Sequence, residues 1–295
     1  MSLLTVFTPT YNRADTLPRL YKSLQRQTCG DFCWLIIDDG STDSTAALVE
    51  QWQKEENLFP ITYVYKENGG LHTGYNEAIA RLATPLAVCI DSDDYLPDNA
   101  VETIAAVWAQ RGGDHVAGIV ALDADVHGNT IGDPLPELET INLIDLLVGN
   151  YHIQDGDRKL VVRSDLYRQV APMESFPGEK NFNPHYMHLQ ISRNYDFLVL
   201  NQVLCVVDYQ PGGMSSGIFR QYRNSPRSFA QTRRLYLSFP NTSLPFRFRN
   251  CIHYVSSCIL AKDPHFLKTS PEKLLTVLAL LPGIALTAYV TYKAR

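Results

Sequence analysis

The sequence predicts an α/β fold, with a mostly parallel central sheet covered by helices and a helical C-terminal extension. Two observations predict the sheet. Short, unbroken apolar runs alternate with helical-period segments through residues 1–110. Several of those runs stop abruptly at polar residues, as strands do where an open sheet places its ligands. A third observation predicts the extension: after Ser225 the chain reads as helical to its end. The length of 295 residues, with 45% apolar and 19% charged side chains, is ample for a full hydrophobic core.

Leu3–Phe7 is the first strand candidate, ended by Thr8-Pro9-Thr10-Tyr11-Asn12-Arg13. Leu17, Leu20, Tyr21 and Leu24 then fall on one face of a helix. Phe32–Ile37 is a second apolar run and stops at Asp38-Asp39-Gly40-Ser41-Thr42-Asp43. Thr42 or Asp43 can cap the next helix, whose buried face is Thr45, Leu48, Val49 and Trp52. Ile61–Tyr65 is the third strand, and Asn68-Gly69-Gly70 turns the chain into a helix that buries Tyr75, Ala78, Ile79 and Leu82. The fourth strand, Leu86-Ala87-Val88-Cys89-Ile90, ends at Asp91-Ser92-Asp93-Asp94. A helix from Pro97 follows, with Val101, Ile104, Ala105 and Trp108 inward. Four such units in a row imply a parallel sheet with right-handed crossovers.

Beyond residue 110 the pattern is mixed. Val116–Leu122 reads as a strand, Leu143–Val148 as a short helix and Lys159–Arg163 as an edge strand. Phe197–Val207 is one long strand or a pair, and Gln210–Gly217, rich in Gly and Ser, reads as a mobile loop.

The aspartates after the fourth strand carry the chemistry. Asp91 and Asp93 are two apart, so one turn can aim both at a single point. Hard carboxylate oxygens suit Mg²⁺ or Mn²⁺, which commonly arrive with substrate phosphates. A solvated Asp-rich loop is the alternative. A calcium loop is rejected, because its sixth position would be Leu96 where Gly is needed, with Pro97 next.

Six cysteines, none in a CxxC pair and most in apolar runs, read as reduced, buried thiols of a cytosolic protein. The N-terminus has no basic-then-apolar signal, the expectation for a chain that is not secreted. The net charge of −5 conceals a split. Residues 1–210 carry 14 Lys and Arg against 29 Asp and Glu, a balance of −15, while residues 211–295 carry 12 against 2, a balance of +10. A basic tail on an acidic body points to an anionic partner for the tail.

Taken together, the loops Thr8–Arg13, Asp38–Asp43, Asn68–Gly70 and Asp91–Asp94 resemble, in order and spacing, the nucleotide-sugar-binding domain of family 2 inverting glycosyltransferases. A looser resemblance runs through Gly178-Glu179-Lys180 and Val207-Asp208-Tyr209, as in members that build bacterial surface polysaccharides. The resemblance implies the Rossmann-like A-type (GT-A) fold over residues 1–220, with a nucleotide-sugar half 1–110 and an acceptor half 111–220. A separate helical, basic region would cover 221–295. It implies a base pocket lined by Thr8, Pro9 and Tyr11, with Asp39 accepting a hydrogen bond from the base. Asp91 would hold the ribose or the metal, and Asp93 would ligate the metal. Arg13 and Ser92 belong to the same donor-binding set. His72 and Asn76, one helical turn apart after the Gly69-Gly70 turn, could face the same cleft; a surface histidine at a helix start is the plainer reading of His72.

An inverting transfer needs a general base for the acceptor hydroxyl. Glu179 is the first candidate. His185 stands where related sequences often carry a second acid, so the base is Glu179, His185 or neither, and an exposed loop acid paired to Lys180 or Arg193 is the plain alternative for Glu179.

In the C-terminal third, Leu274–Tyr292 is 19 residues without a charge, interrupted by Pro282-Gly283. It reads as a membrane-surface helix pair, a transmembrane helix, or helices packed on protein. Arginines interleaved with Phe and Tyr between Phe219 and Arg249 suit a lipid headgroup interface, and no nucleic-acid-reading motif accompanies them.

The expectation is therefore a metal-dependent inverting glycosyltransferase that uses a nucleotide sugar, most simply a UDP-sugar, with Mg²⁺ or Mn²⁺. Its acceptor would be a lipid-linked (polyisoprenyl) or growing glycan at the cytoplasmic face of an anionic membrane. Two rivals stay open. A sugar-phosphate nucleotidyltransferase would need a Gly-rich basic loop after the first strand, where this chain has Pro9–Asn12 and only Arg13. A non-catalytic membrane-bound scaffold would keep the nucleotide fold without turnover.

Overall fold

A computed structural model describes residues 2–154, 156–209 and 217–294. Contacts divide the chain into two compact units. The first comprises residues 1–69, 73–173 and 187–210; the second comprises 70–72, 174–186 and 211–295. The second unit thus draws in two internal segments that the sequence division at residue 220 assigns to the first domain.

The first unit is built on one eight-stranded sheet. Its strands are β1 (Leu4–Thr10), β2 (Phe32–Asp38), β3 (Ile61–Tyr65), β4 (Leu86–Cys89), β5 (Val116–Asp125), β6 (Thr140–Ile141), β7 (Arg158–Arg163) and β8 (Asp196–Val207). The order across the sheet is β3-β2-β1-β4-β7-β5-β8-β6. β1 pairs in parallel with both β2 and β4, Leu4 lying opposite Phe32 and Leu86. Unbroken apolar runs form these strands because helices cover both faces of a parallel sheet.

On one face Leu4, Val6, Trp34 and Val88 pack with Leu17, Leu20 and Leu24 of α1 (Leu17–Gln25), with Val49 and Trp52 of α2 (Thr45–Lys54), and with Val101 and Ile104 of α4 (Ala100–Arg111). On the other face Phe7 meets Tyr75 of α3 (Leu71–Arg81) edge-on at 5.0 Å, and Tyr167 of α6 (Ser164–Val170) at 6.3 Å. Strand alternation puts Val6 and Phe7 on opposite faces, which yields three layers. Leu48, Ala105 and Trp108, expected inward, are only half-buried. The short helix read at Leu143–Val148 forms as α5, capped by Asn142 and ended by Gly149 in the left-handed region at φ 84°.

One expectation is corrected here. Lys159–Arg163 is no edge strand: β7 lies inside the sheet, antiparallel to both β4 and β5. Its polar start misleads, because Lys159 is buried beside Asp123 of β5, with Nζ 3.7 Å from the carboxylate. The true far edge is β6, two residues long and antiparallel to β8. β8 is one strand, parallel to β5, with register shifts where Val203 and Cys205 oppose Leu122 and Asp123.

The helices of the second unit from residue 217 onward are α8 (Ile218–Asn224), α9 (Pro226–Leu237), α10 (Leu244–Leu260), α11 (Phe266–Thr269), α12 (Lys273–Leu278) and α13 (Leu280–Lys293); α7 (His185–Ile191) spans the boundary between the units. Cys251, Tyr254, Val255 and Cys258 of α10 form its core with Ala230, Leu237 and Ala279. Gly283 lets α13 lie close on α10, since a methyl there would come within 2.5 Å of Val255 Cγ1. The uncharged run Leu274–Tyr292 is broken at Ala279, between α12 and α13, rather than at Pro282-Gly283. Among the described residues no helix is long and apolar enough to cross a membrane. All six cysteines are free. Of the loop read as mobile, residues 210–216 lie outside the described residues.

Candidate active site

The parallel strands β1, β2 and β4 end at one edge of the sheet, and their loops interlock there. The hydrogen-bond ladder runs one residue past the strands, from Asp39 N to the Thr10 carbonyl at 2.8 Å and from Ile90 N to the Phe7 carbonyl at 3.0 Å. Asn12 adopts the left-handed region (φ 51°), and its side chain accepts from Thr42 N while its own N–H donates to Ser41 Oγ, both at 2.8 Å. Asp43 accepts from Ala14 N at 3.1 Å and from Thr45 N at 3.0 Å, but the cap position of α2 is held by Ser44, not by Thr42 or Asp43 as expected, and the Ser44 side chain makes no capping bond. These bonds leave the Tyr11 ring about half exposed (49%). Pro9 packs against Gly74 of α3, where a methyl would stand 3.1 Å from Pro9 Cβ. Thr8 does not reach that surface. It is fully buried, and its hydroxyl accepts from Trp34 Nε1 at 3.0 Å. Thr8 is therefore a core residue, and the base-pocket role expected of its side chain is withdrawn.

The paired aspartates after β2 divide their work. Asp38 is fully buried and accepts from Tyr63 Oη at 2.5 Å and Ser41 N at 2.7 Å. Asp39 is buried as well, at 6% exposure, with Oδ1 accepting from Lys66 Nζ at 2.5 Å and from Gly69 N at 2.9 Å. Lys66 also donates to Thr73 Oγ1 at 2.9 Å. The sequence reading missed Lys66; its signal was a lone cation placed directly after β3, beside the acidic loop of the neighbouring strand.

The four residues Asp91–Asp94, just past β4, divide similarly. Asp91 is exposed and Asp93 half-buried, while Ser92 and Asp94 are buried. Asp94 Oδ1 accepts from Asp208 N at 3.1 Å, and burial pushes its carboxyl up to about 7 against the opposing pull of Lys159. Arg19 donates to Asp208 at 2.6 Å and to the Asp93 carbonyl, and its guanidinium lies over the Tyr95 ring. The loop is thus tied to α1 and to the end of β8. Arg19 and Asp208 were not read as site residues, since they are 189 positions apart.

What remains presented is the pair Asp91 and Asp93, with Arg13 Nη2 3.9 Å from Asp93 Oδ2. Partial burial and the neighbouring Asp91 charge raise the Asp93 pKa, and Arg13 offsets this only in part. Two neighbouring carboxylates with hard oxygen donors, one exposed and one half-buried, are a donor set that fits Mg²⁺ or Mn²⁺. No group of three or more potential ligands occurs among the described residues. Asp91 and Asp93 would accordingly hold the ion together with oxygens from a bound diphosphate.

The other expected site residues are occupied within their own units. Asn76 clamps a backbone: its amide donates to the Met173 carbonyl at 2.9 Å and accepts from Met173 N at 2.8 Å. His72 is buried, not a surface helix-start histidine, with its ring 6.3 Å from that of Phe182. Glu179 is buried too. Its oxygens accept from Arg227 N (2.8 Å), Ser228 N (2.8 Å) and Ser228 Oγ (2.7 Å), at the start of α9. This carboxylate is the cap of a helix and not an exposed loop acid, and three of its about four acceptor positions are taken. Pro226 has no N–H and Phe229 N bonds to the Ser225 carbonyl, so Glu179 completes the accounting of that helix end. His185 is half-buried at the start of α7, and desolvation lowers its imidazole pKa to about 4.

The sequence family described as Glycosyl transferase family 2 matches residues 5–167. The chain is 29% identical over 186 residues to a GalNAc(5)-diNAcBac-PP-undecaprenol beta-1,3-glucosyltransferase of Campylobacter jejuni, covering 61% of this chain and 58% of that protein. It is 34% identical over 143 residues to a validoxylamine A glucosyltransferase of Streptomyces hygroscopicus subsp. jinggangensis, covering 47% and 32%. The chain therefore spans less than two thirds of either relative. Among solved structures, S. aureus TarS 1–349 in complex with UDP superposes with a TM-score of 0.60 at 17% identity, covering 98% of this chain and 90% of that one. A mannosyltransferase from Pyrobaculum calidifontis in complex with GDP-Man and Mn²⁺ gives 0.57 at 17%, covering 98% and 75%. At these identities the structural likeness speaks for the GT-A fold alone.

Proposed function

The chain belongs to glycosyl transferase family 2, and from that premise we propose that it transfers a sugar, with inversion, from a UDP-sugar to a lipid-linked or growing glycan, aided by Mg²⁺ or Mn²⁺. The observation that carries this reading is the convergence of Tyr11, Arg13, Asp39, Asp91 and Asp93 on the carboxyl edge of β1, β2 and β4. The exposed Tyr11 ring offers a face to a base, and Asp39, held in place by Lys66 and Gly69 N, offers it an acceptor. Arg13 supplies positive charge on the diphosphate side. A divalent ion on Asp91 and Asp93 would neutralise the charge that gathers on the departing nucleoside diphosphate. The base stays open between Glu179, His185 and neither: Glu179 is engaged at the start of α9, and desolvation keeps the His185 ring neutral at pH 7, as a base must be.

The glucosyltransferase relative carries an undecaprenol-linked substrate in its name, which supports a lipid-linked acceptor and a place on the inner membrane face. A thermal-shift series with UDP- and GDP-sugars, with and without Mn²⁺, tests the donor assignment, because a ligand that binds the native state raises its melting temperature. Metal-dependent stabilisation by UDP-sugars is expected. A chain that no nucleotide sugar stabilises, and that hydrolyses none with Mn²⁺ present, would be the scaffold instead.

A further inference from the structure

Helices α12 and α13 carry no charge from Leu274 to Tyr292, and their threonines Thr276 and Thr287 are hydrogen-bonded, yet only one side of the pair is covered. Leu275, Ala279, Leu280 and Gly283 face the core built on α10. On the other side Leu274, Val277, Leu278, Leu281, Ile284 and Tyr292 stand 48–80% exposed. Leu274, Val277 and Leu278 are three and one apart on α12, and Leu281, Ile284 and Tyr292 three and eight apart on α13, so each set shares one face of its own helix. An exposed row of large apolar side chains of this length is more than single scattered surface residues account for. The uncovered stripe therefore calls for an occupant.

Charge decides which. Leu274–Tyr292 carries no charge, and the exposed Lys273 and Lys293 stand at its two ends. Residues 211–295 carry 12 Lys and Arg against Asp263 and Glu272 alone, and Glu272 is already paired with Arg247. A second copy of this chain on the stripe would bring two strongly basic units together. An anionic bilayer reverses that interaction, attracting each nearby cation while taking up the leucines. Tyr289 and Tyr292 sit at the Lys293 end, with the ammonium over the Tyr289 ring, an arrangement suited to the headgroup boundary. The fourteen residues of α13 are about 21 Å long, too short for a hydrocarbon core of about 30 Å, so the pair would lie in the interface plane.

We infer that the outer stripe of α12 and α13 is a membrane-docking face that inserts Leu274, Leu278, Leu281 and Ile284 among anionic lipids. The inference sharpens the membrane part of the proposed function and is independent of which sugar is transferred. The test is co-sedimentation of the full chain with vesicles of phosphatidylglycerol and phosphatidylethanolamine, at low and high salt, against vesicles of phosphatidylcholine. Binding to the anionic vesicles should weaken with salt without vanishing. The double variant Leu278→Gln, Leu281→Gln changes no charge and touches side chains 60% and 80% exposed, so its melting temperature and donor binding should match the parent's. Its salt-resistant partitioning should fall by about tenfold or more. Three results overturn the inference: a parent that stays in the supernatant at low salt, a double variant that partitions like the parent at high salt, or a lipid-free parent oligomer that the double variant dissociates. Donor binding, read separately by thermal shift, shows whether the glycosyltransferase reading stands or falls by itself.

Discussion

Replacing Glu179 separates two accounts of the same residue. In the structure its carboxylate receives three hydrogen bonds at the start of α9 and places a negative charge at a helix N-terminus. Glu179→Ala removes all of this at once. Ser228 is 2% exposed, so its N–H loses its partner without access to water, which costs about 1–3 kcal/mol. Arg227 is exposed and its N–H can rehydrate, while loss of the charge at the helix end adds about 0.3–1 kcal/mol. The total is about 1–4 kcal/mol. For a unit of this size each kcal/mol lowers the melting temperature by about 4–8 °C, so a fall of about 5 °C or more is expected. Glu179→Gln keeps one acceptor oxygen, loses the charge and turns an NH₂ toward donors, and should fall between the parent and the alanine variant. The assay is thermal and urea unfolding of each variant beside its transfer rate under conditions where it is fully folded. A cap predicts lost stability with turnover largely kept in the folded fraction. Refutation would be a glutamine variant that melts within about 1 °C of the parent yet transfers about 10²–10⁴-fold more slowly, the signature of a general base.

Three further outcomes follow from the site. Asp93→Asn should abolish Mn²⁺-dependent donor binding with little change in fold, since the side chain is half-buried and its loop is held by Arg19 and Asp94 instead; isothermal titration with UDP-sugar, with and without Mn²⁺, checks it. Asp39→Ala should weaken UDP and uridine equally, by about 1–3 kcal/mol, because the lost contact is to the base; unchanged uridine affinity would remove Asp39 from the base pocket. For His185, a base must be deprotonated, and a pKa lowered to about 4 means activity that persists well below pH 6.5 and is lost only as pH falls through about 4. A kcat/KM profile whose acid limb lies near 6.5 in the parent, or is unmoved in His185→Ala, would take the role from His185.

The four N-terminal strand-helix units were legible because each element announces itself locally. A strand buried on both faces needs an unbroken apolar run, and each covering helix needs its own stripe. Asp91 and Asp93 were legible for the same reason, standing where such a run stops. What escaped the sequence is what depends on distant partners. Lys159 looks like the start of an exposed strand until Asp123 is placed beside it. Glu179 looks like a catalytic acid until the N–H groups of Arg227 and Ser228, some fifty positions later, are seen to need it. Thr8 belongs to the same loop motif as Tyr11, yet strand alternation turns it under Trp34. Asp94 adjoins Asp93 and serves as an anchor to Asp208.

The place of β7 in the sheet has a consequence for how the protein comes into being. Strand β4 has β1 on one side and β7 on the other, and β7 is formed by Arg158–Arg163. A ribosome delivers the chain in order, so all four strand-helix units up to Arg111 have emerged while the outer side of β4 still lacks its neighbour. That strand is apolar, carries no charge between Leu86 and Cys89, and offers unpaired N–H and carbonyl groups to any strand that arrives first. The nascent nucleotide half is therefore a sheet with an open margin. Sealing it requires the intervening segment to be made and folded back, so the stretch between β5 and β7 sets the interval during which a nascent chain is open to pairing with the wrong partner.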